Sequence, residues 1–373
     1  MNTTQIYTLI NTLAGQAIGR DDLAVADVQG LISLGNSVIT SQANTEAFLN
    51  SLYMKTGKTI ISFRKYDNKF ADMVKSDLEW GGIVQKVKAD MPQAIEDKTS
   101  SLVDGESIDP YIVMKGTVHQ KLFVTRAPYS FGLTTQRSWL KEAFTSPEAM
   151  AAFLNARTGE VQNKLNLTME SLARTCLCNL TCEIANSDRE VKLVTLFNAS
   201  HEAAEQVTSE NCLNSQKFLL FAIRKIKNYI KLLTDMSEIF NNGETTRHTP
   251  FAEQRMRLYS DFEDALETTV QWAAFNEKYV QLMGYSEYNF LQSIKDGERT
   301  TVKLKRASDG TETIVENVVC ILHDTDAAGT FREYEDTLTT PVNARGQYYN
   351  TFWHEHQLWF NDLSENALIF TLN

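Results

Sequence analysis

The sequence predicts an α+β protein, and three observations carry that prediction: one unusually long helix, one long aromatic strand, and a strand-bearing excursion between helices. The helix begins at Ser146-Pro147-Glu148, a capping serine followed by proline at the first helical position and an acid in the first turn. Leu154, Val161, Leu165, Leu172, Cys176 and Leu180 then follow in steps of three, four or seven, and no proline interrupts the run to Asn186. At 1.5 Å per residue, ~40 residues make a rod of roughly 60 Å. The strand is the stretch from Gln347 to Phe360. Nine of the 43 residues from Phe331 to Asn373 are aromatic against 37 of 373 overall, and that density favours a pleated surface.

The elements follow in order. Ile6, Leu9, Ile10 and Leu13 recur at helical spacing and stop at Gly15, which predicts a short amphipathic helix over 3–14. That pattern fits a helix on an extended arm and a helix packed on its own core equally well. A second helix is predicted from Asn44 to Met54, ending before Gly57. From Lys58 to Thr125, short β-like runs (Thr59–Arg64, Ile83–Lys88, Tyr111–Met114, Lys121–Thr125) alternate with charged and turn residues, the pattern of an ordered projecting loop. After the long helix the pattern changes to a mixed α/β segment. It holds an amphipathic helix over Ser215–Phe240 with Leu219, Ile223, Ile226, Ile230 and Leu233 on one stripe, and a helix from Asp261 to Phe275. Strands are predicted at Met256–Tyr259 and Val318–Leu322, and Ser308-Asp309-Gly310 reads as a hairpin turn between Val302–Ala307 and Thr313–Val318. In the aromatic strand, period two puts Tyr348, Asn350, Phe352, His354, His356, Leu358 and Phe360 on one face. Tyr349, Thr351, Trp353, Glu355, Gln357 and Trp359 share the other. Large side chains on both faces call for cover on both, by a helix or by another subunit.

Composition narrows the function classes. A chain of 373 residues with 43% hydrophobic and 10% aromatic residues has material for a substantial core and for two or three structural units. A net charge of -11 argues against a protein that coats nucleic acid by neutralising phosphates. The longest apolar runs, such as Phe218–Ile223, fall far short of a membrane span, and Met1-Asn2-Thr3-Thr4-Gln5 carries no basic export signal. Five cysteines suggest no disulfide framework and point to a reducing cytoplasm.

Several motifs invite a chemical reading. His354-x-His356 sets two imidazoles on one strand face, a spacing found in metal sites, and a third ligand would have to come from Asp362, Glu365 or His323. Packing or inter-strand hydrogen bonding is the favoured alternative. Cys176, Cys178 and Cys182 crowd one helix, where buried thiols acting as small hydrophobes are favoured over a cluster. His201-Glu202-Ala203-Ala204-Glu205 lacks the second histidine of a zinc-protease helix and is set aside. Asp324-x-Asp326 beside His323 suits a divalent cation less well than a polar loop after a strand. Arg224, Lys225, Lys227 and Lys231 lie around the amphipathic helix, and a solvated face is favoured over contact with acidic groups or nucleic acid. No phosphate-cradling glycine loop, nucleophile elbow or zinc-finger spacing is present in the sequence. The expectation is therefore no catalytic residue, no cofactor and no metal.

Val319-Cys-Ile-Leu-His-Asp-Thr-Asp326, followed by Pro341-Val-Asn-Ala-Arg-Gly-Gln-Tyr-Tyr-Asn-Thr-Phe-Trp-His-Glu-His356, resembles the closing part of major capsid proteins from phi29-like podoviruses. Asn343, Arg345, Gly346 and Tyr349-Asn350 sit where that family has an asparagine–proline–arginine–glycine turn and a tyrosine-rich strand. Glu365–Phe370 is similar to the family's final strand, and Val25–Ile32 and Phe48–Gly57 are similar to its arm and first helix. The resemblance implies the HK97-like tailed-phage capsid fold: 1–57 an N-terminal arm and first helix, 58–125 an extended loop, 126–199 a peripheral domain with the long spine helix, 200–330 an axial α/β domain, and 331–373 returning strands of the peripheral domain. The chain stops at Asn373, without the immunoglobulin-like module that some phi29-type proteins append. The implied function is self-assembly into pentamers and hexamers of an icosahedral head that encloses double-stranded DNA without sequence-specific binding. Its implied partners are copies of itself, a scaffolding protein and a portal, with no membrane. The implied place is the virion, after assembly in the bacterial host cytoplasm. Covalent crosslinking between a lysine and an asparagine, known in some relatives of the fold, finds no matching pair. Two rivals stand beside this reading: an encapsulin-like compartment of the same fold, and a metalloenzyme using His354 and His356.

Overall fold

The computed structural model describes residues 3–18, 27–56, 67–78, 83–92, 94–97, 100–109, 111–243, 245–273, 286–287, 300–306, 308–333 and 341–373. In chain order the elements are α1 (Thr3–Ile18), α2 (Val28–Thr40), α3 (Gln42–Thr56), β1 (Val74–Leu78), β2 (Val84–Ala89), β3 (Val118–Phe123), β4 (Arg126–Gln136), α4 (Arg137–Ala143) and α5 (Pro147–Ile184). They continue with β5 (Glu190–Lys192), α6 (Leu193–Ala199), α7 (Gln216–Leu232), β6 (Gln254–Leu258), α8 (Ser260–Ala273), β7 (Ser286–Glu287), β8 (Val302–Lys305), β9 (Glu312–Val315), β10 (Val318–Asp324), β11 (Ala328–Glu333), β12 (Val342–Asn343), β13 (Tyr348–Asn361) and β14 (Ala367–Thr371). The chain forms two compact units. One holds 1–80, 126–173 and 331–358, and the other 81–125, 174–330 and 359–373. The sequence groups 331–373 as one set of returning strands, whereas the units part between Leu358 and Trp359.

In the first unit, Ile6, Ile10 and Leu13 of α1 are buried with Leu31, Leu34 and Val38 of α2, Phe48 and Leu49 of α3, and Leu140 and Phe144 around α4. Of the two readings of the first helix, packing on its own core is the one observed. Helix α2 was not foreseen. It starts where Asp27 accepts a hydrogen bond from the Gly30 amide at 2.7 Å, a side-chain cap, and buries an i, i+3, i+7 stripe. Gly35 lets Phe144 come close: a Cβ there would stand 2.6 Å from the Phe144 Cβ.

Helix α5 runs unbroken for 38 residues, through Gly159, and the Ser146 hydroxyl caps it by accepting the Ala149 amide at 3.1 Å. Val161, Leu165 and Leu172 along its middle are only half-buried and Leu167 is exposed. Strand β13 spans 14 residues and carries β4 antiparallel along eleven positions, from Tyr348 opposite Gln136 to Leu358 opposite Arg126. Up to Gln357 the face of Tyr349, Thr351, Glu355 and Gln357 is the drier one, with Trp353 half-buried on it and Phe352, His354 and His356 half-buried on the other; beyond Gln357 the order reverses, with Leu358 and Phe360 buried and Trp359 half-buried. Glu355 is tolerated there because Arg332 pairs with it at 3.0 Å and the Gln357 amide donates to it at 3.0 Å.

The second unit is built on the sheet β5-β14-β10-β6-β7, in which every residue of β10 and β14 is buried. Such fully buried strands, apolar but for His323, Asp324 and Thr371, need cover on both faces. Helix α7, capped by Ser215, buries Leu219, Ile223, Ile226 and Ile230 as its stripe predicts. It ends at Leu232, short of the predicted Phe240, because the apolar stripe ends at Leu233. The chain there turns back, with the Thr249 amide donating to the Leu233 carbonyl at 2.7 Å. The hairpin β8/β9 forms around Ser308-Asp309-Gly310, with Gly310 at φ 72°, the left-handed conformation that favours glycine. Tyr111–Met114, predicted as a strand, forms none. Its side chains are exposed and it has no partner strand, so β-propensity alone does not pleat it. The predicted strand Thr59–Arg64 lies outside the described residues.

Candidate functional site: a hairpin with its apolar face outward

Strands β2 and β3 pair antiparallel from Val84 opposite Phe123 to Ala89 opposite Val118. Period two sorts them into two faces. Val84, Lys86, Lys88, His119, Lys121 and Phe123 point one way, and Gln85, Val87, Val118, Gln120 and Leu122 the other. Burial inverts the usual order: Lys88 and Phe123 are buried and Lys86 is half-buried, whereas Val87, Val118 and Leu122 are each more than half exposed. A solvated strand puts lysine out and valine in; this one does the reverse.

The inward lysines are held by the connection between β13 and β14. Lys86 Nζ lies 2.8 Å from Asp362 Oδ2 and 2.6 Å from Glu365 Oε1. Lys88 Nζ lies 2.8 Å from the same Glu365 oxygen and donates to the Ser364 hydroxyl. Lys121 reaches Asp362 Oδ1 at 3.2 Å, and the Ser364 hydroxyl donates to that oxygen at 2.6 Å. Lys86 and Lys121 are directly opposite across the ladder, a like-charge pair that opposes pairing. Asp362, fully buried, pairs with Lys86 through Oδ2, accepts from Lys121 at Oδ1, and so offsets the repulsion. Phe123 packs on Phe360 beside them, with ring centroids 4.9 Å apart.

The electrostatics are consistent. Burial alone would raise the Asp362 carboxyl, but hydrogen bonds from Lys86 and Ser364 and the charges of Lys86 and Lys121 outweigh it and hold the group well below the usual carboxylate range. Burial alone would lower the Lys86 ammonium, but hydrogen bonds to Asp362 and Glu365 and their charge hold it raised. The root of the hairpin is thus an ion cluster, while Met91, Ile95, Leu102, Val103, Ile108, Tyr111, Ile112, Val113 and Met114 beyond it are exposed, Tyr111 to 87%. Among the described residues, 14 of the 25 exposed large hydrophobics lie between Ile83 and Val124. A surface that apolar in so short a segment marks an interaction site.

Of the residues singled out by sequence, Asp362 and Glu365 lie in this cluster and the rest fall elsewhere. His354 and His356 stand opposite Ser130 and Pro128 of β4, and Asp362 and Glu365, two of the proposed third ligands, are engaged by lysine. Among the described residues no three His, Cys, Asp or Glu side chains converge as a metal site. Cys176, Cys178 and Cys182 are buried. Burial pushes the Cys176 and Cys178 thiols up to about 12, and Cys176 donates to the Phe360 carbonyl. The His201 ring stacks on Phe197 at 3.9 Å, and Glu205 pairs with Lys217 at 2.5 Å. Asp324, the buried last residue of β10, accepts from the Thr249 hydroxyl and the Asp326 amide, each at 2.8 Å, and so ties the strand end to the turn that follows. The Asn343–Tyr348 turn is held by the Gly346 amide donating to Asn343 Oδ1 at 2.8 Å and the Asn343 amide donating to the Tyr348 hydroxyl at 2.9 Å. A Cβ on Gly346 would meet the Tyr348 ring at 2.4 Å, so any side chain there must displace that ring. Sequence reasoning missed the ion cluster. Its one local trace is lysine at alternate positions, Lys86 and Lys88, where a strand's apolar face is expected.

Residues 10–371 match the family model of the Phi29-like phage major capsid protein. The chain belongs to that family. It is a shell protein of the phage head, part of the virion, and the phi29-like family fits a podovirus. The fold is similar to a chain in the capsid structure of Staphylococcus phage Andhra, with 11% identity, 84% of this chain and 87% of that one covered, and a TM-score of 0.55. A chain in the structure of head fiber and inner core protein gp22 of native bacteriophage P68 matches with the same identity and coverage and a TM-score of 0.54. No curated protein matches the sequence. The capsid matches and the mixed helix and sheet content support an α+β capsid fold, and they do not favour the compartment or metalloenzyme readings. No helix among the described residues is long and apolar enough to cross a membrane.

Proposed function

We propose that the chain closes into pentamers and hexamers of an icosahedral head around double-stranded DNA, and that the hairpin's outward apolar face is the surface a neighbouring copy covers. The observation that carries this is the inverted hairpin: Lys88 buried and Lys86 half-buried at Asp362 and Glu365, valines and leucine in water. Burying apolar area at about 25 cal/mol per Å² is the driving term for association, and Ile83 to Val124 supply it in one segment. On this reading, in the HK97-like layout, 1–57 takes the place of the arm and first helix, with α1 packed on its own unit, 58–125 is the extended loop, 126–199 with 331–373 the peripheral domain around α5, and 200–330 the axial domain. The half-buried middle of α5 suits a spine that also meets neighbours. A scaffolding protein and a portal are the further partners, with assembly in the bacterial host cytoplasm. A chain of net charge -11 limits adhesion to the enclosed duplex.

The test is electron microscopy of the protein expressed with its scaffold, beside the double variant Val87→Asp/Leu122→Asp. Wild type is expected to form uniform shells. The variant, altered only at exposed positions, is expected to stay folded with a Tm within about 3 °C of wild type and to form no shells. A persistently monomeric wild type with scaffold present sinks the assembly reading, and shells from the variant sink the role of this face.

A further inference from the structure

Helix α7 carries Lys217, Arg224, Lys225, Lys227 and Lys231 and no acidic residue. Steps of seven, four and three place Lys217, Arg224, Asn228 and Lys231 on one line; Lys217 is already paired with Glu205 at 2.5 Å, which leaves Arg224 and Lys231 as the charges of this line, about 10 Å apart along the axis at 1.5 Å per residue. Two exposed leucines flank it, Leu220 at 45% and Leu232 at 37%. Immediately after α7, the loop 233–253 presents a surface of opposite character. Asp235, Glu238 and Glu253 are exposed there beside Met236, Ile239 and Phe251, with Ile239 at 67%. This loop is ordered by its own bonds: Ser237 and Arg247 exchange backbone hydrogen bonds at 2.9 Å, and Glu238 accepts from the Thr246 hydroxyl at 2.8 Å.

We infer that the basic face of α7 docks on the acidic, apolar loop 233–253 of an adjacent copy of this chain. Two different patches of one chain, complementary in charge and both apolar, are what a head-to-tail contact around a closed ring requires, since each copy must present both halves. Phosphate backbones would match the lysines and arginine but would leave Leu220 and Leu232 without cover; a protein surface carrying Met236, Ile239 and Phe251 covers both. The inference rests on the shell reading above and assigns a partner surface within it.

The test is a charge swap read by shell yield, from sedimentation and electron microscopy, in the full chain expressed with its scaffold. Arg224→Glu/Lys231→Glu alone and Glu238→Lys/Glu253→Lys alone are each expected to lower shell yield at least about tenfold, by like-charge juxtaposition in the contact. The two pairs combined are expected to recover to within about threefold of wild type, which a merely destabilised fold would not do. Equal Tm values for the four proteins exclude misfolding as the cause. Three outcomes overturn the inference: combined variants no better than the helix pair alone; a helix pair that assembles as wild type does; or a helix pair that forms shells but retains less double-stranded DNA, which makes the helix a polyanion contact. A wild type that forms no shell overturns the assembly reading itself and the inference with it.

Discussion

Asp362 is the residue on which the hairpin depends. It pairs with Lys86 and accepts from Lys121 and Ser364 while fully buried, so its loss leaves ammonium groups facing one another across a ladder. Replacing one partner in a buried ion cluster costs about 3–5 kcal/mol. Asp362→Ala is therefore expected to speed hydrogen exchange in 84–89 and 118–123 by more than about a hundredfold, while the β10 amides remain protected; unchanged exchange in the hairpin would refute the assignment. The pH dependence follows from the two shifts. Asp362 is depressed, so its contribution is present above the ordinary carboxylate value of about 3.9 and lost only as pH falls below that range. Lys86 is raised, so its contribution is present below the ordinary ammonium value of about 10.4 and lost only as pH rises through the raised value. Exchange protection of the hairpin, corrected for intrinsic rates, is expected to be level between about pH 5 and pH 9. A decline within that window would mean that another group controls the root. None of this was legible in the sequence, because Lys121 and Asp362 are 241 positions apart and a lysine strand looks solvated until its carboxylates are found.

At the scale of elements, legibility followed local strength of signal. Helix α5 was read because Ser146-Pro147-Glu148 caps it and an apolar stripe sustains it, and β13 because aromatic residues crowd it. Helix α2 was missed because Gly30, Gly35, Asn36 and Ser37 are weak helix formers. Its place is secured instead by packing, with Gly35 against Phe144. Gly35→Ala puts a Cβ 2.6 Å from two Phe144 atoms, and overpacking of this kind typically costs about 1–3 kcal/mol. Thermal unfolding of this variant is expected to show a lower Tm although alanine is the better helix former; a raised Tm would mean that the α2 and α4 contact yields freely. Tyr111–Met114 erred in the opposite direction: strong β-propensity, no partner strand, no strand. Period two described β13 only as far as Gln357, beyond which the buried residues change face, and it could not show that Arg332 reaches the buried Glu355.

For the whole molecule, a family resemblance carried by two separated stretches proved sufficient, since the matched family model spans residues 10–371. What the resemblance did not supply was the reason the hairpin stands as it does: its polar side is neutralised within the chain, and its apolar side is left exposed. The acidic balance of the chain and the cationic face of α7 belong to the same logic, in which repulsion and attraction are distributed among identical subunits. The central claim is that the outward face of β2 and β3 is a contact between copies. Hydrogen–deuterium exchange of 83–124 in purified shells and in unassembled protein tests it most directly. The account predicts protection of these amides at least about tenfold greater in the shell; equal exchange in the two states would contradict it.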